Sequence, residues 1–523
     1  MSATLVPQAE EARDCGPRRR AAGNPSLPRD AFSDPGTAYN GGAPFGDRMP
    51  GRRTKIIVTL GPSTDRPGVL AGLIAAGMDV ARLNFSHGST EEQRRRYREV
   101  RDAARTAGRP VAVLQDIQGP KIRVGTFSGG SVALERDRVV TLRAGAEEGD
   151  TGTLFVGYEG LTRDLRPGQA VYLADGQVRL EVTEVRHDAV LAVVLSGGTV
   201  RDRQGAAFPQ SDLRLSPVTD KDREDLAVGR ELGVDYVAAS FVASRRDVEE
   251  VADLAGVPVI AKIERAVAYR DLDSILGACH GAMVARGDLG VELPLEKLPR
   301  AQREILAATN RSGRISITAT EMLESMTRAT RPTRAEVTDI ANAVLQGSDA
   351  VMLSGETAIG THPVRVVEAM DAICREVDAT PRALEQTRPT FLSAEEPVPS
   401  ATTQAAVEAA ESLELETIVA FTESGNTARL LSKYRPRARV VAFTPVEETW
   451  RRMALYRGVR PHRLDRFDST DEMLARAEER LLADELVTPG ETIVMVAGTP
   501  PNQRASTNFL KLHRVGSPGG TPH

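Results

Sequence analysis

Lys262, Glu264 and Asp288 are the residues of this 523-residue chain whose types and spacing most directly suggest chemistry. Lys262 and Glu264 stand two apart, so in an extended segment they point to one face, and Asp288 closes the next apolar run. Two carboxylates are hard oxygen ligands that suit Mg2+ or Mn2+ and leave positions for water and substrate oxygens. An ammonium beside such an ion neutralises a phosphoryl group in transit. Standing alone, K-I-E is more often an ordinary strand-end ion pair. The stretch A-R-G-D-L-G at 285–290 sets glycines around Asp288 and lets backbone N–H groups approach an anion closely. Arg82 and Arg123 carry planar forks suited to phosphate. Neither a G-x-x-x-x-G-K-[ST] loop nor a G-x-G-x-x-G fingerprint occurs, so any nucleotide is held by other means. The seven histidines and three cysteines show no zinc spacing, which excludes the common zinc hydrolases. The chemistry converges on phosphoryl transfer with a carboxylate-held divalent ion.

Positioning such groups requires a scaffold. Eight short apolar runs, each followed by a helical pattern, begin with TKIIVTLG (54–61), MDVARLNF (78–85) and VAVLQD (111–116). After an interruption come DYVAASF (235–241), VPVIAKI (257–263), GAMVARG (281–287), ISITAT (315–320) and DAVMLSG (349–355). Continuous apolar runs suit strands covered on both faces, and eight of them with crossover helices predict an α/β fold, a (β/α)8 TIM barrel, over 51–124 and 214–378. Polar residues gather where the runs end, at Arg82, Asn84, Ser86, Asp116, Lys262, Glu264, Asp288 and Thr320, and in a barrel they converge on one rim. Any one of them could merely solvate a loop; together they are harder to dismiss. Between the third and fourth runs, 125–213 holds VALERDRVVTL, QAVYLAD and DAVLAVVL and reads as an inserted β-barrel lid domain. An acidic, Pro-containing linker, LSAEEPVPS, leads into LETIVAFT, ARVVAFT and ETIVMVAG, an open α/β domain over 379–523. Residues 1–50, rich in Pro, Gly, Ala and Arg, read as a disordered N-terminal extension.

Composition narrows the partners. Charged residues make up 27% of the chain and the net charge is −5, which argues against nucleic acid or an anionic membrane. No apolar run approaches the roughly 18 residues of a membrane span. Three dispersed cysteines fit a reducing compartment, and cytoplasm is the expected location. Only seven of the 67 basic residues are lysines, among them Lys121 and Lys262.

The strings RLNFSHG (82–88), KIE (262–264), MVARGDLGVELP (283–294), ITATEMLESM (317–326) and RPTRAEVTDIANAVLQGSDAVMLSGETAIG (331–360) together resemble pyruvate kinase, from about Arg53 to the C-terminus. The resemblance implies a glycolytic, allosteric, homotetrameric enzyme that turns phosphoenolpyruvate and ADP into pyruvate and ATP. It implies that Arg82 contacts the transferring phosphoryl group, that Lys262 stabilises its transition state, and that Glu264 and Asp288 hold Mg2+ or Mn2+. Gly287, Asp288 and Thr320 would line the substrate, with Thr320 positioning a water relay as proton source for C3. Asn84, Ser86, His87 and Arg123 would meet the nucleotide phosphates.

Three departures from the family pattern shape the expectations. Many members read D-T-K-G-P-E where this chain has Asp116-Ile117-Gln118-Gly119-Pro120-Lys121. An ammonium at Lys121 can replace the charge of a bound monovalent cation near Asn84, Ser86 and Asp116, and the resemblance associates this pattern with potassium independence, the alternative being a solvated loop lysine. In the effector loop Thr422-Glu423-Ser424-Gly425-Asn426-Thr427, Glu423 stands where members activated by fructose 1,6-bisphosphate often carry lysine, and would repel phosphate. Activation by that bisphosphate is therefore expected to be weak or absent. In the lid, Arg203 is a candidate for a nucleotide-contacting lysine that the chain lacks. A metal-dependent lyase on the same fold would not explain the lid with Arg123 and Lys262; a pseudoenzyme would have lost one of Lys262, Glu264, Asp288 or Thr320.

Overall fold

The computed structural model describes residues 51–211, 213–380, 396–499 and 506–517; the extension expected over 1–50 lies outside them. Eight parallel strands close into a barrel in chain order: Lys55–Thr59, Val80–Asn84, Ala112–Asp116, Tyr236–Ala239, Val259–Ile263, Gly281–Ala285, Ile315–Ala319 and Ala350–Leu353. Side chains alternate across each strand. Ile56, Val58, Ala81, Val113 and Val284 face the helical ring, while Ile57, Val80, Leu114, Met283 and Ile317 fill the interior.

The interior does not end at the barrel floor. It continues into Ile418 and Val494 of the C-terminal sheet and Leu430 and Leu455 of the helical segments beside it, so barrel and C-terminal domain share one apolar core. Three aspartates stitch the floor, each standing one residue before a strand and accepting an N–H from the neighbouring strand. Asp79 takes Ile56 N at 2.9 Å, Asp235 takes Val113 N at 2.7 Å and Asp349 takes Ser316 N at 2.9 Å. Each carboxylate is also met by cations: Asp79 by Arg52, Asp235 by Arg101 and Arg451, Asp349 by Lys433 and Arg435. Arg451, Lys433 and Arg435 come from the C-terminal segment, so the floor is sealed by charge as well as by apolar contact.

The insertion forms a six-stranded sheet and shorter pairings around its own core of Leu142, Val171, Leu180 and Val194. The run VALERDRVVTL is two strands, Ser131–Leu134 and Val139–Ala144, broken where Asp137 takes a left-handed φ of +65°. The C-terminal sheet runs Val459–Arg463, Arg439–Thr444, Thr417–Phe421, Thr492–Gly498 and Thr507–Arg514, with only the last antiparallel. Pro397 to Ser400, read as linker, open the helix Pro397–Ser412, because proline is well suited to a first helical turn. Among the described residues no helix is long and apolar enough to cross a membrane.

Candidate active site

The rim groups of the first five strands form one connected network. Lys262 Nζ donates to Ser240 Oγ at 2.7 Å and lies 2.9 Å from Glu264 Oε1 and 3.3 Å from Asp116 Oδ1. The other oxygen of Asp116 accepts Arg82 Nε at 2.6 Å, and Arg82 also donates to Thr59 Oγ1 at 2.9 Å. Phe241 N donates to Glu264 Oε2 at 2.6 Å. All these side chains except Phe241 are buried. Burial works against a charged Asp116, but Arg82 and then Lys262 outweigh it and hold its carboxyl below the usual range. Burial likewise works against a charged Lys262, yet Asp116 and Glu264 keep it protonated well into alkaline pH. Glu264 is different: burial raises it to about 7, more than Lys262 lowers it, and the nearby Asp288 adds repulsion. A second positive charge there would favour the carboxylate.

Asp288 does not sit at a strand end. The strand stops at Ala285, and Asp288 lies in the first turn of the helix Arg286–Glu292. Gly287 N donates to Thr320 Oγ1 at 2.9 Å, and that hydroxyl donates to Ala319 O at 2.6 Å. Gly287, Asp288 and Thr320 are thereby brought together. Thr320, Glu321 and Phe241 have φ of +70°, +53° and +55°. Left-handed backbone at residues other than glycine costs about 1 kcal/mol or more each and clusters at functional sites.

Lys121 corrects an expectation. Its ammonium is not placed against Asn84, Ser86 and Asp116 but on Asp288 Oδ1 at 2.8 Å, 5.6 Å from the centre of the Phe241 ring. The reason is the path of the chain as it leaves the barrel. Gly119, at φ +67°, packs so tightly on Ser240 that a Cβ would meet Ser240 O at 2.7 Å, and the segment then passes over the fourth to sixth strands. A narrow cavity of about 60 Å³ separates Lys121, Glu264 and Asp288 from Tyr172 and Asp175 of the insertion. An ammonium resting on Asp288 marks that carboxylate as facing a cation position near Glu264. The donor set therefore fits a hard divalent ion held by two carboxylates; among the described residues no cluster of three or more metal-ligating side chains occurs.

In the loop after the second barrel strand, Asn84 Oδ1 accepts Ser86 N at 3.1 Å, and Gln93 ties down the carbonyls of Asn84 and His87. Burial, then Arg123, Arg82 and Lys121, hold the His87 imidazole below its usual pKa, which places three cations around this loop. Arg123, at the junction of barrel and insertion, donates to the carbonyl of Arg203 at 3.0 Å and so joins the two expected arginines. The Ile117 side chain is in the core; its carbonyl accepts Ser240 Oγ at 2.7 Å.

The loop Thr422 to Thr427 stands apart from the rim, between the strand Thr417–Phe421 and the helix Asn426–Lys433, and lines a cavity of about 880 Å³. Thr422 Oγ1 accepts Gly425 N at 2.8 Å, Ser424 Oγ accepts Asn426 N at 3.4 Å, and the Thr427 and Thr507 hydroxyls lie 2.7 Å apart. Glu423 is not the bare negative charge expected: Arg466 Nε lies 3.3 Å from its Oε1 and offsets its repulsion. Arg466 follows the strand Val459–Arg463, which the apolar-run reading does not contain. Thr59, Ser240 and Phe241 lie inside the apolar runs but are not among the polar groups expected at the rim, although Ser240 stands near the end of its run much as Asp116 does.

Comparison with known proteins agrees with this architecture. The family model described as "Pyruvate kinase, barrel domain" matches residues 51–367, and "Pyruvate kinase, alpha/beta domain" matches 400–513. Pyruvate kinase of Mycobacterium tuberculosis (strain CDC 1551 / Oshkosh) is 40% identical over 470 residues, covering 89% of this chain and 99% of the relative. Pyruvate kinase 2 of Synechocystis is 41% identical over 477 residues, 89% of this chain and 79% of that one. A crystal structure of a pyruvate kinase from Cryptosporidium parvum superposes with a TM-score of 0.83 at 34% identity, covering 89% and 96% of the two chains. With both family models matched in order and relatives of this similarity, the chain belongs to the pyruvate kinase family of phosphotransferases.

Proposed function

We propose that the chain transfers the phosphoryl group of phosphoenolpyruvate to ADP, giving pyruvate and ATP. The observation that carries this reading is the Lys262 ammonium wedged between Asp116 and Glu264, with Arg82 on the far oxygen of Asp116. Lys262 and Arg82 stabilise charge on the phosphoryl group as its bond to the enol oxygen breaks and a bond to the terminal oxygen of ADP forms. Glu264 and Asp288 would hold Mg2+ or Mn2+, which when bound would supply Lewis-acid stabilisation of the developing charge. Asn84, Ser86, His87 and Arg123 receive the nucleotide phosphates. Gly287 and Asp288 line the carboxylate and enolate, and Thr320 positions a water that gives its proton to C3, closing the enolate to the ketone. The hydroxyl itself is too weak an acid to act alone.

Two finer features belong to the proposal. Lys121 brings its own positive charge to the rim, on Asp288 and not beside Asn84, Ser86, Asp116 and Ile117, and that charge makes the enzyme active without potassium. Fructose 1,6-bisphosphate activates weakly or not at all, because the Thr422 to Thr427 loop offers no lysine and keeps Arg466 engaged with Glu423. By likeness to its family the enzyme works as a cytoplasmic homotetramer.

A lactate-dehydrogenase-coupled assay with phosphoenolpyruvate, ADP and Mg2+ in potassium-free buffer tests the reading. Turnover by the natural chain and its loss in Lys262→Met are expected; equal rates in the two would refute the assignment.

A further inference from the structure

Arg286 is buried and spends its guanidinium on backbone beneath the site. Its Nε lies 3.3 Å from Ala319 O, one terminal nitrogen donates to Thr320 O at 2.6 Å, and the other donates to Asp339 Oδ2 at 2.6 Å, on the helix Arg334–Leu345. These carbonyls belong to the turn in which Thr320 and Glu321 take left-handed φ in succession, and the segment Ala319 to Leu323 contains no glycine to relieve it. At the other end of the turn the fully buried Glu356 accepts Leu323 N at 3.1 Å. Two charged side chains therefore hold, from opposite ends, a backbone that its own sequence disfavours.

We infer that Arg286, anchored by Asp339, is a positioning residue for the protonation of the enolate, because it fixes the turn that aims the Thr320 hydroxyl. The inference rests on the role proposed above for Thr320. Without the fork, the turn relaxes toward right-handed backbone and the hydroxyl leaves Gly287 N–H. The Lys262, Arg82 and Glu264 network does not depend on Arg286. Loss of the fork therefore slows the step in which a water O–H breaks and a C3–H bond forms more than it weakens substrate binding. Lysine cannot reproduce the grip, since a point ammonium does not span two carbonyls and a carboxylate in one plane.

The reverse of that step is measurable by itself, as exchange of pyruvate methyl protons with D2O, followed by NMR in the presence of Mg2+ and ATP. Arg286→Lys is expected to lower both exchange and kcat about tenfold to a hundredfold, the scale of an ångström misplacement. The KM for phosphoenolpyruvate is expected to stay within about threefold, since ground-state binding is left in place. Asp339→Asn, which slackens the anchor and keeps the fork, is expected to show a smaller loss of the same kind. Wild-type exchange in Arg286→Lys, or in Asp339→Asn should the lysine variant fail to fold, overturns the inference. Wild-type exchange in Thr320→Ala would instead refute the role of Thr320 on which it rests.

Discussion

Replacing Lys121 by methionine is expected to tighten divalent-metal binding in potassium-free buffer. The ammonium lies 2.8 Å from Asp288 Oδ1, and the two side chains are 26% and 33% exposed. At that distance two unit charges attract by about 1.5 kcal/mol even in bulk water. Ordering a lysine chain and partial solvation reduce the net value of such a pair to about 1 kcal/mol. An ion that binds Asp288 must displace this contact, so removing it strengthens metal binding about fivefold, with 1.4 kcal/mol corresponding to tenfold. Loss of repulsion between ammonium and bound metal acts in the same direction, so fivefold is the lower figure. Methionine keeps the length of the side chain and its packing near Phe241. Titration with Mn2+, reading the free ion by electron paramagnetic resonance, measures the affinity without catalysis. Unchanged or weaker binding would show that Lys121 does not compete for the carboxylate. In the coupled assay the same variant should gain a requirement for potassium, a separate readout of the charge that Lys121 brings to the rim.

Other perturbations bear on other parts of the molecule. Gly119→Ala drives a Cβ into the carbonyl of Ser240 at 2.7 Å in a left-handed position; it should shift Ser240 off Lys262 and lower kcat about tenfold or more, the scale of a misplaced catalytic group. Asp349→Asn leaves the buried Lys433 and Arg435 without their counter-charge, and denaturant unfolding should show a loss of about 3–5 kcal/mol; a loss below about 1 kcal/mol would mean the floor is held by apolar contact alone. Titrating fructose 1,6-bisphosphate at subsaturating phosphoenolpyruvate should leave the half-saturation concentration nearly unchanged, and a sharp fall would overturn the reading of the effector loop.

The barrel was legible because each of its strands is buried on both faces, and burial of that kind writes itself as an uninterrupted apolar run. Strands that obey other rules escaped. Thr507–Arg514 is an antiparallel edge of mixed polarity, and Val459–Arg463 carries a proline, a histidine and two arginines, so neither forms a run. In the insertion, a run that looked continuous was divided by a single left-handed aspartate. Within the site, Lys262 and Glu264 were legible from the two-residue period of a strand, whereas the partner of Lys121 was not. A long side chain reaches whichever carboxylate the backbone carries it past, and that path is set by Gly119 against Ser240, residues more than a hundred positions apart in sequence. Arg466 escaped for the same reason, through a strand that could not be seen.

The shared core beneath the barrel bears on how this protein can be taken apart. Separating the chain between residues 380 and 396 would open the apolar cluster that barrel interior and C-terminal segment share, with the Tyr236 hydroxyl losing the carbonyl of Arg452 and Asp349 and Lys433 each stripped of a partner. Neither fragment inherits a finished surface. The C-terminal sheet is therefore the floor of the catalytic barrel and not a detachable attachment. Backbone amides at the base of the strands should share their slowest hydrogen-exchange rates with amides of that sheet, opening only when both come apart together.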